Sequence, residues 1–165
     1  MSTPLPLSAT DELVAVAWIG SIPGLSTAMV DTQLPPDVDA DGTPAAWINT
    51  GFVTVSVVGG TPNDELPVER PVMQVDCWAT RPGSNKPPWM MAAMLSRVIR
   101  RAVLDRYTIS RPLTPVINGV VYPKAVVTTA YMATSFRRGY DDAGDYAHYQ
   151  GDLALNWVTV NDHLD

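Results

Sequence analysis

The stretch from Pro71 to Tyr107 limits the fold more than any other, because it joins an extended segment, a proline-broken turn and the longest helical pattern in the chain. In Val72-Met73-Gln74-Val75-Asp76-Cys77-Trp78-Ala79, Met73, Val75, Cys77 and Ala79 share one side, while Gln74, Asp76 and Trp78 share the other. That two-residue period predicts a strand buried on one face. Ser84 or Asn85 is placed to cap the next element, and Pro87 and Pro88 suit a first helical turn, where amide donors have no carbonyl partner. Helix-forming residues then continue to about Arg106.

The two faces of this helix are unequal. Met91, Leu95, Val98 and Ala102, flanked by Met94, Ile99 and Val103, recur at three- and four-residue spacing and predict the side that packs on a sheet. Opposite them, Arg97, Arg100 and Arg101 share the surface with Met90, Ala93 and Leu104, and Met90, Arg97 and Leu104 fall seven residues apart. Two readings stay open at this level. One is a solvated face with scattered apolar residues, which is ordinary; the other is a subunit interface of apolar anchors and arginines centred on Met90, Arg97, Arg100, Arg101 and Leu104.

A chain of 165 residues has length for one domain with a core, and no shift in composition marks a second. Hydrophobic residues at 46% against 17% charged place it on the apolar, charge-poor side of soluble chains, as expected of a protein that buries surface against its own copies. The 15 prolines fall mostly outside the periodic segments and predict long, stiffened connections. No apolar run is long enough to span a bilayer and no basic-then-apolar leader opens the chain, so neither anchor nor signal peptide is expected, and the protein should be made in the cytoplasm. The net charge of −6 argues against general nucleic-acid binding, which draws on lysine and arginine contacts to phosphate. The charges are also segregated: six of the 11 basic residues lie between Lys86 and Arg111, and the acids gather at Asp37 to Asp41, Asp64 to Glu69 and Asp141 to Asp152.

Around the central stretch the pattern is α+β. A helix is predicted over Thr10 to Ile19, capped by Ser8 or Thr10, with Asp11 and Glu12 in its first turn, after a disordered Met1 to Leu7. Strands are predicted at Thr27 to Thr32, Trp47 to Val58, Lys124 to Phe136 and Tyr149 to Val160, with a short one at Val116 to Val121 inside a loop and a polar, flexible tail at 161–165. In sum the pattern gives a mixed, mainly antiparallel sheet of about four to six strands, with an N-terminal helix and one long central helix packed on it. Asp37, Asp39, Asp41 and Gly42 imitate the opening of a calcium-binding loop, but its twelfth position, which needs a bidentate glutamate, is Ile48, so a solvated acidic loop is expected.

A search for chemistry finds little. His148 and His163 lack cysteine or histidine partners at ligand spacing and are expected at the surface. Asp141, Asp142 and Asp145 sit in a polar connection, a poor place to raise the pKa of one carboxyl for acid-base work. The lone Cys77 reads as a small core residue. No catalytic set, cofactor or metal site is expected.

The order of elements then becomes informative. Val16-Ala17-Trp18-Ile19 leads to Pro23-Gly24-Leu25 and a strand ending Thr32-Gln33-Leu34-Pro35; a valine-rich strand ends in Gly59-Gly60; Arg70 to Ala79 leads into the main helix; and Gly151-Asp152-Leu153-Ala154-Leu155 lies in a late strand. Over most of its length the chain resembles the tail terminator proteins of long-tailed, siphovirus-type bacteriophages, especially those infecting actinobacteria. The resemblance implies a small α+β virion protein assembled as a hexameric ring, which caps the tail tube at full length and joins it to the head connector. Its partners would be its own copies, the major tail tube protein and the connector or stopper protein, with genomic DNA passing through the channel unbound and no membrane involved. The loops at Leu34 to Ala46, Asn63 to Arg70 and Thr108 to Pro123 would then meet tube or connector. A head-tail stopper or other completion protein, a small enzyme using the aspartate-rich C-terminal region, and a ligand-binding module are the alternatives.

Overall fold

A computed structural model describes residues 8–139 and 145–160 of the chain. The predicted disordered start and polar tail, with Asp141, Asp142 and His163, lie outside these residues. Two helices, α1 (Asp11–Gly20) and α2 (Trp89–Leu104), and nine strands follow in the order α1, β1 (Val30–Asp31), β2 (Phe52–Gly60), β3 (Val68–Glu69), β4 (Pro71–Thr80), α2, β5 (Pro112–Leu113), β6 (Val116–Ile117), β7 (Val120–Val121), β8 (Ala125–Arg138) and β9 (Tyr146–Thr159). Seven strands make one sheet in the order β1-β2-β4-β9-β8-β5, with β3 also paired to β9; every pair is antiparallel except β1 with β2. The fold is therefore α+β. The sheet exceeds the expected four to six strands because β1, β3 and β5, each two residues long, add to four long ones.

The alternation in β4 holds along its length: Met73, Val75, Cys77 and Ala79 are all fully buried. They line up beside Leu153, Leu155 and Trp157 of β9, and Val53 and Val55 of β2, and both helices cover this one face. Thr10 caps α1 by accepting a bond from the Leu13 amide at 3.3 Å. The acids of the first turn also tie the helix down: Asp11 accepts from Trp157 Nε1 at 2.8 Å and Glu12 from the Val57 amide at 3.3 Å. Trp18 lies at the centre of this layer with no exposed surface. Its indole donates to the Ile109 carbonyl at 3.1 Å, and the Arg111 guanidinium sits 5.0 Å over the ring while donating to the Trp18 carbonyl at 2.7 Å. Arg111 thus fastens the chain beyond α2 to the end of α1.

Three sequence expectations shift for local reasons. Gly51 has φ +78, a left-handed conformation that strand residues do not adopt, so Ala46–Asn49 forms a short 3-10 turn and β2 begins at Phe52 rather than at Trp47. In β8, a register shift between Val127 and Thr129 moves the inward set from Ala125 and Val127 to Ala130 and Met132, so strict alternation through the whole strand fails. At α2, Pro88 is the first flanking residue and makes no side-chain cap; Ser84 bonds the Lys86 amide in the preceding turn instead.

Replacing Trp18 with alanine should cost about 3–5 kcal/mol of stability in urea unfolding, since it empties the site where both helices, the sheet and Arg111 meet. Cys77 is fully buried beside Asp76, and burial followed by that negative charge pushes its thiol pKa well above the ordinary value. A maleimide should leave the native protein unlabelled and react once it is unfolded.

Candidate subunit interface

Helix α2 lies across β4, β9 and β8 with Ala92, Leu95, Ser96, Ile99 and Val103 buried beneath it. The buried stripe is turned slightly from the predicted one: Met91, Val98 and Ala102 are half-buried, and Met94 points outward with 56% of its surface exposed. Met94 sits four residues after Met90, so both sulfur-bearing side chains share the outer crest. Met90 is 75% exposed and Leu104 62%, and Arg97, Arg100 and Arg101 are exposed between them. These are the residues singled out from the sequence, and the fold brings all of them to the outside of one helix.

The arginines fan out around that crest. Arg97 and Arg100 border a cavity of about 480 Å³ between α2 and β8, with Met132, Ser135, Phe136 and Tyr149 on its other wall. Arg100 also borders a second cavity, about 450 Å³, that runs on past Leu104 and Arg106 to Thr128 and Tyr131. Arg101 turns the other way, toward Ile22 and Thr108. Among the described residues no carboxylate lies within 4.0 Å of any lysine or arginine nitrogen. The crest therefore presents arginines that form no ion pair with a carboxylate of the described residues, although Asp105 lines the same hollow as Arg101.

The far face of the sheet carries a cluster that sequence reading missed. His148, expected at the surface, is 8% exposed, because β9 begins at Tyr146 and its register sets His148 directly opposite Trp78. The two rings stack with centroids 4.0 Å apart and planes 2° from parallel. His148 Nε2 meets Asp76 Oδ1 at 2.5 Å, Gln74 donates to Asp76 Oδ2 at 3.1 Å, and Trp78 donates to Thr54 Oγ1 at 3.0 Å. The other ring nitrogen, Nδ1, has no hydrogen-bond partner among the described residues and lies against Gly139. What this arrangement does is lock β2, β4 and β9 together through side chains.

In the acidic loop, Asp41 accepts from the Thr43 hydroxyl at 2.6 Å and its amide at 3.1 Å, bonds that hold the Asp41 carboxyl below its ordinary pKa. The carboxylate closes a turn. Among the described residues no three His, Cys, Asp or Glu side chains converge as metal ligands, and no helix is long and apolar enough to cross a membrane.

No protein-family model matches the chain, and no curated protein matches it. Among solved structures, one similar chain is 13% identical, covers 94% of this chain and 99% of its own length, and superposes with a TM-score of 0.37. Its name states no function, and a likeness this low carries no argument about fold or activity.

Asp76→Ala should destabilise the protein by about 2–4 kcal/mol in urea unfolding, because a buried imidazole loses its carboxylate. Asp76→Asn, which keeps an acceptor oxygen, should cost less.

Proposed function

We propose that the protein is a phage tail terminator, a virion subunit that closes into a hexameric ring, caps the tail tube when it reaches length and joins it to the head connector. The observation that carries this reading is the outer crest of α2. A 16-residue helix that buries one side and leaves Met90, Met94 and Leu104 exposed beside arginines that no described carboxylate meets within 4.0 Å has the composition of a contact surface, with apolar anchors and guanidinium groups together. The resemblance in the order of elements supplies the kind of assembly.

In this reading Arg97, Arg100 and Arg101 meet an acidic edge of the adjacent subunit, with Met90 and Leu104 filling its apolar hollows. Contact between unlike surfaces repeats head to tail and closes when the rotation allows, which is how a ring arises from one kind of subunit. The loop from Asn63 to Arg70, which exposes Leu66 between acids and a proline, faces tube or connector. A net charge of −6 per subunit suits a channel through which DNA slides, since few cations are available to hold phosphate.

Charge reversal at Arg97 and Arg101 together should abolish rings in electron micrographs of the purified protein mixed with tail tubes, and give tails of uncontrolled length. Both side chains are exposed, so the subunit's own stability should change by no more than about 0.5 kcal/mol. Normal particles from the double variant would refute the reading. A wild-type protein that binds the connector yet leaves tube length unchanged would mark a head-tail stopper instead.

A further inference from the structure

Among the described residues, strands β6 and β7 pair only with each other, through a two-residue turn in which Asn118 and Gly119 have φ +49 and +78. The Pro115 carbonyl and the Tyr122 amide close the base of this hairpin at 2.9 Å. Val116 faces Val121 across the ladder and Ile117 faces Val120, so one pair occupies each side of the ribbon. All four are exposed, at 52, 59, 44 and 45% in that order. A hairpin apolar on both faces needs cover on both, and a two-stranded ribbon is marginal in water without it. No charged residue stands between Leu113 and Lys124, so whatever receives the arm need not supply charge.

A matching hollow lies at the opposite edge of the sheet. The segment from Pro35 to Ala45 folds over the start of β2 and borders an open cleft of about 390 Å³, walled by Pro35, Pro36 and Val38 above Ala45, Trp47 and Phe52. Its walls are fixed in advance. Trp47 Nε1 donates to the Pro36 carbonyl at 2.9 Å, the Asp39 amide to Thr43 at 2.8 Å and the Ala45 amide to Asp37 at 2.9 Å. Asp39 is the one charged residue among those that line it. The arm cannot fill its own cleft, since three strand spacings, roughly 14 Å, separate β8 from β2, about twice the reach of a two-residue arm.

We infer that the Val116–Val121 arm of one subunit inserts into the Pro35–Phe52 cleft of a second copy of this chain. The sequence reading gave both segments to tube or connector; as partners for each other the arm is uncharged, the cleft is apolar but for the exposed Asp39, and every copy carries one of each. The exposed crest of α2 is another apolar surface, but an uncharged arm laid there would desolvate Arg97 and Arg101 without a partner. Because arm and cleft lie at opposite sheet edges, the contact is head to tail. The inference rests on the assembly reading for its setting and names a contact that reading leaves open.

The test mixes full-length chains carrying Ile117→Cys with chains carrying Val38→Cys, under mild oxidation, with the buried Cys77 as a silent control. A disulfide-linked heterodimer of twice the 17.9 kDa chain mass, absent when either variant is oxidised alone, is the expected result. In parallel, Ile117→Ser with Val120→Ser should raise the concentration needed for half-assembly about 100-fold in light scattering while leaving thermal unfolding of the subunit unchanged. Dimers of Ile117→Cys alone would mean that arms pair with each other and would overturn the inference. So would a chain that stays monomeric and yields no heterodimer, or rings that form without the crosslink. Heterodimers from a protein with no effect on tube length would leave the contact standing and remove the terminator reading.

Discussion

Met73, Val75 and Cys77 of β4, Leu153, Leu155 and Trp157 of β9, and Val53 and Val55 of β2 all turn to the face that α1 and α2 cover, and every other feature of the molecule adjusts to that one-sided burial. A sheet covered on one side must make the other tolerable to water without losing its register. The far face does so with paired side chains and a small aromatic cluster, in which Trp47 packs on Phe52 and Tyr146, and Tyr146 on Trp78. Asp76 is held by His148 and Gln74, Trp78 lies flat on His148 and donates to Thr54, and the long strands are cross-linked where no helix presses on them. Burying a carboxylate there is tolerable because each of its oxygens has a partner.

The same one-sidedness decides what is left over. With α1 and α2 sharing a face, α2 has no third layer above it, and its crest keeps Met90, Met94 and Leu104 in the open. The edges are treated differently from each other. At β2, Glu12 occupies the outward Val57 amide. At β8, among the described residues, β5 pairs with Ala125 and Val126, and the strand itself is irregular against β9, with register shifts after Val127, Met132 and Thr134, and ends in two arginines. Bulges and positive charge are the usual means by which an edge resists unspecific strand addition. In the proposed assembly, contacts between copies would then fall to side-chain surfaces, the helix crest and the hairpin arm, and not to open backbone.

How far this was legible depended on whether a segment obeys a single period. The inward residues of β4 and β9 follow a two-residue period with no register shift between the strands, although Asp76, His148 and Ala154 on the other face are buried too, and the N-cap and first-turn acids of α1 follow directly from Thr10-Asp11-Glu12. The phase of α2 was read about one residue off, because Met91 and Met94 score as apolar whichever way they point; the sheet selects Ala92 and Ser96, small enough to sit close beneath the helix. His148 was hidden by its neighbours. Flanked by Tyr146, Ala147 and Tyr149 in an acidic context, it shows no polar partner in sequence, and Asp76 lies 72 positions away. The hairpin arm did carry its signal, Asn118-Gly119 between pairs of β-branched residues, which is the composition of a tight hairpin turn; the three prolines around it obscured the strands.

Strand order gives the molecule a direction. Toward β8 stand Arg97, Arg100 and Arg106 along the cavities beneath α2, with Arg137 and Arg138 at the strand's end and the uncharged arm at its start. Toward β1 and β2 stand Glu12, Asp31 and Asp39, with the apolar cleft among them. Two copies related by a twofold axis through either edge would set like charge against like and arm against arm. A translation with rotation sets basic edge to acidic edge and arm to cleft at once. In the proposed assembly, the asymmetry that unlike sheet edges build into a single chain would therefore favour repeating contacts over pairwise ones, and a repeating contact that closes is a ring.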